Sequence, residues 1–115
     1  MSQVVVKPWG SYENLATQEI FNLKKLIISP GQQISYQYHQ KRAEHWIILK
    51  GKCEVTIDDT VKAYEKNDCI YVPIGSKHRI KNTSHLEDLI FIEIQTGTYF
   101  GEDDIVRLQD DYNRS

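Results

Sequence analysis

This sequence predicts an all-β single domain, built as an antiparallel sandwich or closed barrel. Three observations predict it. Apolar and polar residues alternate with period two in short runs, turn residues interrupt those runs every several positions, and helical periodicity is scarce.

Near the start, Pro8-Trp9-Gly10 marks a bend with Trp9 as a packing anchor. Residues 20–28 read as a long strand with apolar side chains on both faces. It stops at Ser29-Pro30-Gly31, where Pro presets φ and Gly accepts positive φ. A short strand follows at 34–39, then a polar corner at 40–43, then a strand at 44–49. Lys50-Gly51 turns the chain into 53–57, whose alternation is clean, and Asp58-Asp59 makes the next turn, a two-residue hairpin connection. The run 69–72 ends at Pro73-Ile-Gly75, 78–81 is short, and 89–95 is the last long strand. On that strand Phe91, Glu93 and Gln95 share one face and Ile90, Ile92 and Ile94 the other, and the pattern leaves open which lines the interior. A short helical turn is expected at 101–107, because Glu102, Asp103 and Asp104 favour a helix N-terminus.

A chain of 115 residues is expected to be one domain, 1–115, burying about two thirds of the surface its unfolded form exposes. Fourteen basic against sixteen acidic side chains give a formal charge of −2, so no nucleic-acid or membrane partner is expected. The apolar runs are too short to span a bilayer and the N-terminus lacks a signal-peptide core. Cys53 and Cys69 fit neither a metal spacing nor a disulfide framework, and read as reduced, mostly buried thiols of a cytoplasmic protein.

The residues with the most chemistry are Gln37, His39, Glu44 and His78. Gln37 and His39, two apart, point to one face of a strand and can grip one ion together. Glu44 and His78 join them only if the strands pair and curl, so the set predicts a curved sheet as well as a metal site. Two imidazoles, a carboxylate and an amide oxygen suit zinc, with cobalt, manganese, nickel or iron as other divalent candidates.

These residues resemble the cupin superfamily, a double-stranded β-helix or jelly-roll barrel. Gly31, His39, Glu44 and Gly51 fall on its first motif, and Pro73, Gly75, His78 and Asn82 on its second. Gln37 departs from the usual first His, and Asn67 from the Gly that opens the second motif. A Gln-x-His pair is similar to phosphomannose isomerases. The words Arg42-Ala-Glu44-His45-Trp46 and Gly101-Glu102-Asp103-Asp104-Ile105-Val106-Arg107 resemble the type II mannose-6-phosphate isomerase domain, with Lys7-Pro8-Trp9-Gly10 and Asp111-Tyr112 at its borders. In many relatives this domain follows a mannose-1-phosphate guanylyltransferase domain. These residues hold no nucleotide-binding Gly-rich loop, so that second activity is not expected of them.

The resemblance implies a metal-dependent isomerase that interconverts mannose 6-phosphate and fructose 6-phosphate through an enediol(ate), within polysaccharide biosynthesis. Gln37, His39, Glu44 and His78 would hold the metal. Arg42 and Arg107 would partner phosphate or oxyanion, since Arg pairs bidentately with such groups. Lys77, Arg79 and Lys81 are weaker candidates. Glu93 is the candidate base, with Glu102, Asp103 and His45 as alternatives, because geometry decides a base before its pKa does. Two other readings stand beside this one: a non-catalytic sugar-phosphate-binding cupin, and another cupin enzyme such as a sugar-nucleotide isomerase or an oxygenase. The apolar outer face of residues 20–28 suits a homodimer with two-fold symmetry.

Overall fold

The computed structural model describes residues 3–112 and places them in two antiparallel sheets. The six-stranded sheet contains β1 (Val4–Lys7), β2 (Gly10–Thr17), β3 (Phe21–Ile28), β5 (Arg42–Lys50), β8 (Cys69–Val72) and β10 (Leu89–Gly97), in the order β1-β2-β3-β10-β5-β8. The five-stranded sheet contains β4 (Tyr36–Tyr38), β6 (Lys52–Ile57), β7 (Thr60–Glu65), β9 (His78–Asn82) and β11 (Val106–Gln109), in the order β11-β4-β9-β6-β7. None of the described residues is helical.

Alternation decides which side chains face inward. On β3 every second residue is buried (Asn22, Lys24, Leu26, Ile28), and on β10 the buried set is Leu89, Phe91, Glu93 and Gln95. The Glu93 face of β10 therefore lines the interior, and Ile90, Ile92 and Ile94 lie half-buried on the outer side. Toward one end the inward residues are apolar: Ile28, Ile48, Val55, Val72, Ile80 and Leu89 pack with Trp46 and Phe91. Each such aliphatic side chain contributes about 1.5–3 kcal/mol by leaving water. Trp9 packs into the same cluster, as its bend position predicts. At the other end the inward set turns polar, and the site lies there.

The turns behave as their residue types require. Asp58 and Asp59 both take positive φ (46° and 70°) in the two-residue hairpin loop between β6 and β7, the conformation a primed turn needs. Gly97 ends β10 at φ 152°, where a Cβ would stand 2.2 Å from the Lys41 carbonyl oxygen. Only glycine lets β10 approach β5 this closely beside Arg42, its register partner.

Two expectations are corrected. The helical turn at 101–107 is a single turn, closed by the Asp104 N–H donating to Gly101 O at 3.1 Å, followed by the strand β11. The Asp104 carboxylate accepts from the backbone N–H groups of Gln40 and Lys41 at 3.0 Å each, which binds the turn to the corner before β5. Ile105 and Val106 are β-branched, and β11 pairs with the open edge of β4 instead of continuing a helix. The second correction is Cys69, which is exposed because Ile70 and Val72 take the inward positions of β8. Cys53 is buried and free, and burial pushes its thiol up to about 12, so it stays protonated at neutral pH.

Candidate metal centre

The two sheets bring the sequence-distant candidates together. Glu44 comes from β5 in one sheet, and Gln37 on β4 and His78 on β9 are register partners in the other. His39 follows directly after β4. His39, Glu44 and His78 are all buried, and their potential ligand atoms lie within 4.8 Å of one another. Nε2 of His39 is 3.3 Å from Glu44 Oε2, Nε2 of His78 is 3.8 Å from Glu44 Oε1, and the ring centroids are 5.0 Å apart.

Hydrogen bonds orient both imidazoles. His39 Nδ1 is 2.5 Å from the Asp104 carbonyl oxygen and His78 Nδ1 is 2.9 Å from that of Ser76. A carbonyl only accepts, so each Nδ1 carries a hydrogen and Nε2 is the ring atom that each imidazole turns to the centre. Burial, then the Arg42 charge, lowers His39 to about 4, which keeps its ring neutral at physiological pH. His78 Nε2 is buried without a hydrogen-bond partner, a costly state that a cation would relieve. Two inward Nε2 atoms, one of them orphaned, with a carboxylate between them fit a divalent metal. A second hydrogen bond from each ligand ring to a backbone carbonyl is a common feature of such sites. Gln37 lines the same cavity, where its Oε1 accepts from Ser35 Oγ at 2.7 Å.

Around this trio runs a continuous polar network. Arg42 Nε donates to Glu44 Oε2 at 2.9 Å, and Trp46 Nε1 is shared between Glu44 Oε1 (3.1 Å) and Glu93 Oε1 (3.0 Å). Gln95 Nε2 donates to Glu93 Oε2 at 2.7 Å, and Asn22 Nδ2 donates to Gln95 Oε1 at 3.1 Å. Burial opposes ionisation of Glu44, but His78, Arg42 and the hydrogen bonds outweigh it and hold the carboxyl low. Glu93 goes the other way. Burial, then the Glu44 charge, pushes it up to about 7, although Lys24 and Arg42 pull against the rise.

The other candidates separate by position. Arg42 is buried and tied chiefly to Glu44, so its largest interaction is with a ligand candidate. Arg107 lines the cavity opposite Gln37 on the neighbouring strand. Glu102 stands at the mouth, Asp103 pairs with the Tyr99 hydroxyl at the surface, and His45 faces outward against the Tyr71 ring at 4.7 Å. Lys77 and Lys81 are exposed, and Arg79 donates to the carbonyls of Ile34 and Gln109, away from the centre. Sequence reasoning missed Lys24, a buried cation on the inner face of β3 and the register partner of Glu93. Its signal was a polar pair, Asn22 and Lys24, at alternate positions on the face that continues with Leu26 and Ile28.

A family model described as "Mannose-6-phosphate isomerase C-terminal" matches residues 1–110. The chain belongs to that family. Among its curated relatives are the xanthan biosynthesis protein XanB of Xanthomonas campestris pv. campestris (strain B100), 44% identical over 111 residues, and the alginate biosynthesis protein AlgA of Pseudomonas aeruginosa PAO1, 43% identical over 111 residues. The mannose-1-phosphate guanylyltransferase ManC of Salmonella typhimurium LT2 is 39% identical over 114 residues. The matches cover 96–99% of this chain but only 23–24% of those proteins, so it spans about a quarter of their length.

Solved structures share the fold. The cupin domain of Cnp3 from Schizosaccharomyces pombe has a TM-score of 0.75 at 22% identity, covering 82% of this chain and 69% of that one. Oxalate decarboxylase from Bacillus subtilis, a protein with Mn(II) centres, has a TM-score of 0.80 at 20% identity, covering 93% of this chain and 30% of that one. The all-β family member therefore has the cupin fold.

The geometry predicts one divalent ion per chain. Elemental analysis of purified protein is expected to find it in the wild type and to lose it in His78→Ala and Glu44→Gln. Metal at 100 times its Kd is expected to stabilise the fold by about 2.7 kcal/mol. For a chain of this size, that raises the melting temperature by roughly 10 °C. A melting curve unmoved by chelator and by added metal would contradict the site.

Proposed function

We propose that this chain is a metal-dependent aldose-ketose isomerase that interconverts mannose 6-phosphate and fructose 6-phosphate. One observation carries the reading beyond family membership. Glu93, a buried carboxyl raised to about 7, lies one Trp46 N–H away from the ligand candidate Glu44, in a cavity also lined by Lys24, Arg42 and Arg107. Isomerisation moves the proton on C2 of the aldose to C1 and the proton on O2 to O1. It needs a base near the metal that is not itself a ligand, and cations for the phosphate.

Glu93 fits the base. Its two oxygens are oriented by Trp46 and Gln95, and burial keeps its conjugate acid strong enough to be a partner but weak enough to hold the proton it takes. Gln37, His39, Glu44 and His78 would hold the metal, zinc before cobalt, manganese, nickel or iron. When bound, the metal would supply Lewis-acid charge for the enediolate. Gln37 is a neutral ligand, so Glu44 alone offsets the charge of the ion. Arg107 and Arg42 are proposed to face the anionic parts of the substrate.

The outer face of the six-stranded sheet supports a homodimer. Leu23, Ile27, Ile47, Ile90, Ile92 and Ile94 form a half-buried, mainly apolar surface across β3, β10 and β5, with Lys25 as its charged member beside Ile92. Self-association through that face would bury it around a two-fold axis. Sedimentation across a concentration series is expected to show a dimer that Ile92→Lys dissociates; a monomer at every concentration would exclude it.

Metal-loaded protein is expected to make fructose 6-phosphate from mannose 6-phosphate in a coupled assay. Glu93→Gln should lower kcat by about 10²–10⁴, the range for loss of a positioned base. Turnover with none of the candidate metals, alongside binding of the sugar phosphate, would favour a non-catalytic sugar-phosphate-binding protein instead.

A further inference from the structure

Lys24 is a buried cation whose anionic partner stands at the surface. Its side chain is 4% exposed, yet the Glu102 carboxylate that contacts its Nζ at 2.5 Å is 50% exposed. The same Glu102 oxygen lies 4.0 Å from Arg42 Nη1. Lys24 Nζ sits over the Tyr12 ring at 4.3 Å, and both side chains line the cavity that holds the metal candidates.

The two cations and the carboxylate are held differently. Lys24 and Arg42 project from β3 and β5, and Arg42 is further fixed by Glu44. Glu102 belongs to the turn at 101–104, outside every strand, so its side chain can swing away without breaking a sheet. A carboxylate oxygen between an ammonium and a guanidinium occupies the kind of place a phosphate oxygen takes, and phosphate brings more charge and one more oxygen.

We infer that Lys24 and Arg42 form the seat for the phosphate group of the substrate, and that Glu102 fills this seat as an internal stand-in until a phosphate displaces it. The inference rests on the sugar-phosphate reading above but requires no turnover. Glu102 thereby sets the affinity by competition. It keeps the buried ammonium paired in the free protein, and it favours ligands that carry a strong anion over neutral sugars.

Calorimetric titration of the full chain with inorganic phosphate, mannose 6-phosphate and mannose tests this. Glu102→Gln is expected to tighten both phosphate ligands by about three- to tenfold, the scale of a partly exposed ion pair, with no gain for mannose. Lys24→Met in the Glu102→Gln background should abolish the gain. Equal or weaker phosphate binding by Glu102→Gln would overturn the proposal, and so would an equal gain for mannose. Glu102 is half-exposed, so this variant decides the matter even if Lys24→Met does not fold. A protein that isomerises nothing but still shows the gain would lose the proposed reaction and keep the seat. An active isomerase without the gain would do the reverse.

Discussion

The buried Glu44 carboxylate is the constraint on which the site depends. A carboxylate with 2% of its surface exposed is costly unless cations and donors surround it. The chain supplies them from several directions: the Arg42 guanidinium on one oxygen, the Trp46 N–H on the other, and two imidazole Nε2 atoms facing it from the opposite sheet. As metal ligands those nitrogens would act through their lone pairs, which carry no charge to balance the carboxylate. An ion between the carboxylate and the imidazoles would resolve both problems. It would neutralise Glu44 and give His78 Nε2 the partner it otherwise lacks.

The rest of the interior follows from that charge. Glu93 lies on the neighbouring strand and shares Trp46 Nε1 with Glu44, so the two carboxyls cannot ionise independently, and the second is pushed up to about 7. Lys24 and Arg42 are the cations that make two buried acids tolerable. Gln95 and Asn22 extend the network along the inner face and fix the Glu93 carboxyl in one orientation. The inner face of this fold is therefore apolar at one end, where Ile28, Ile48, Ile80 and Leu89 seal the sheets together, and polar and ionisable at the other.

Much of this was legible because the ligand candidates sit between turn residues with obligate conformations. Gly31, Gly51, Asn67 and Gly75 all take positive φ where the sequence places its turns, and they frame the strands that carry Gln37, His39, Glu44 and His78. What escaped the sequence has physical reasons. β7 is a largely exposed strand at a sheet edge and carries no buried stripe to read. The segment at 101–107 shows the acidic signature of a helix start, but Asp104 spends its carboxylate on the corner at Gln40 and Lys41, and the chain then finds a strand edge. Lys24 was passed over because a cation facing inward runs against the rule that buried positions are apolar. Arg42 was read as a partner of the substrate, and its two-residue spacing from Glu44 on one strand adds an ion pair with a ligand candidate that this reading left out. The choice between the two faces of β10 needed the register of its neighbours, which alternation alone does not contain.

The central claim is that the Nε2 atoms of His39 and His78 converge with Glu44 on one ion. X-ray data collected at the absorption edge of the bound metal test it most directly. An anomalous peak is predicted about 2.0–2.2 Å from both Nε2 atoms and from a Glu44 oxygen, with Gln37 Oε1 turned from Ser35 toward the same point. A peak on an Nδ1 atom, or elsewhere in a protein shown by elemental analysis to hold one ion per chain, would contradict the account.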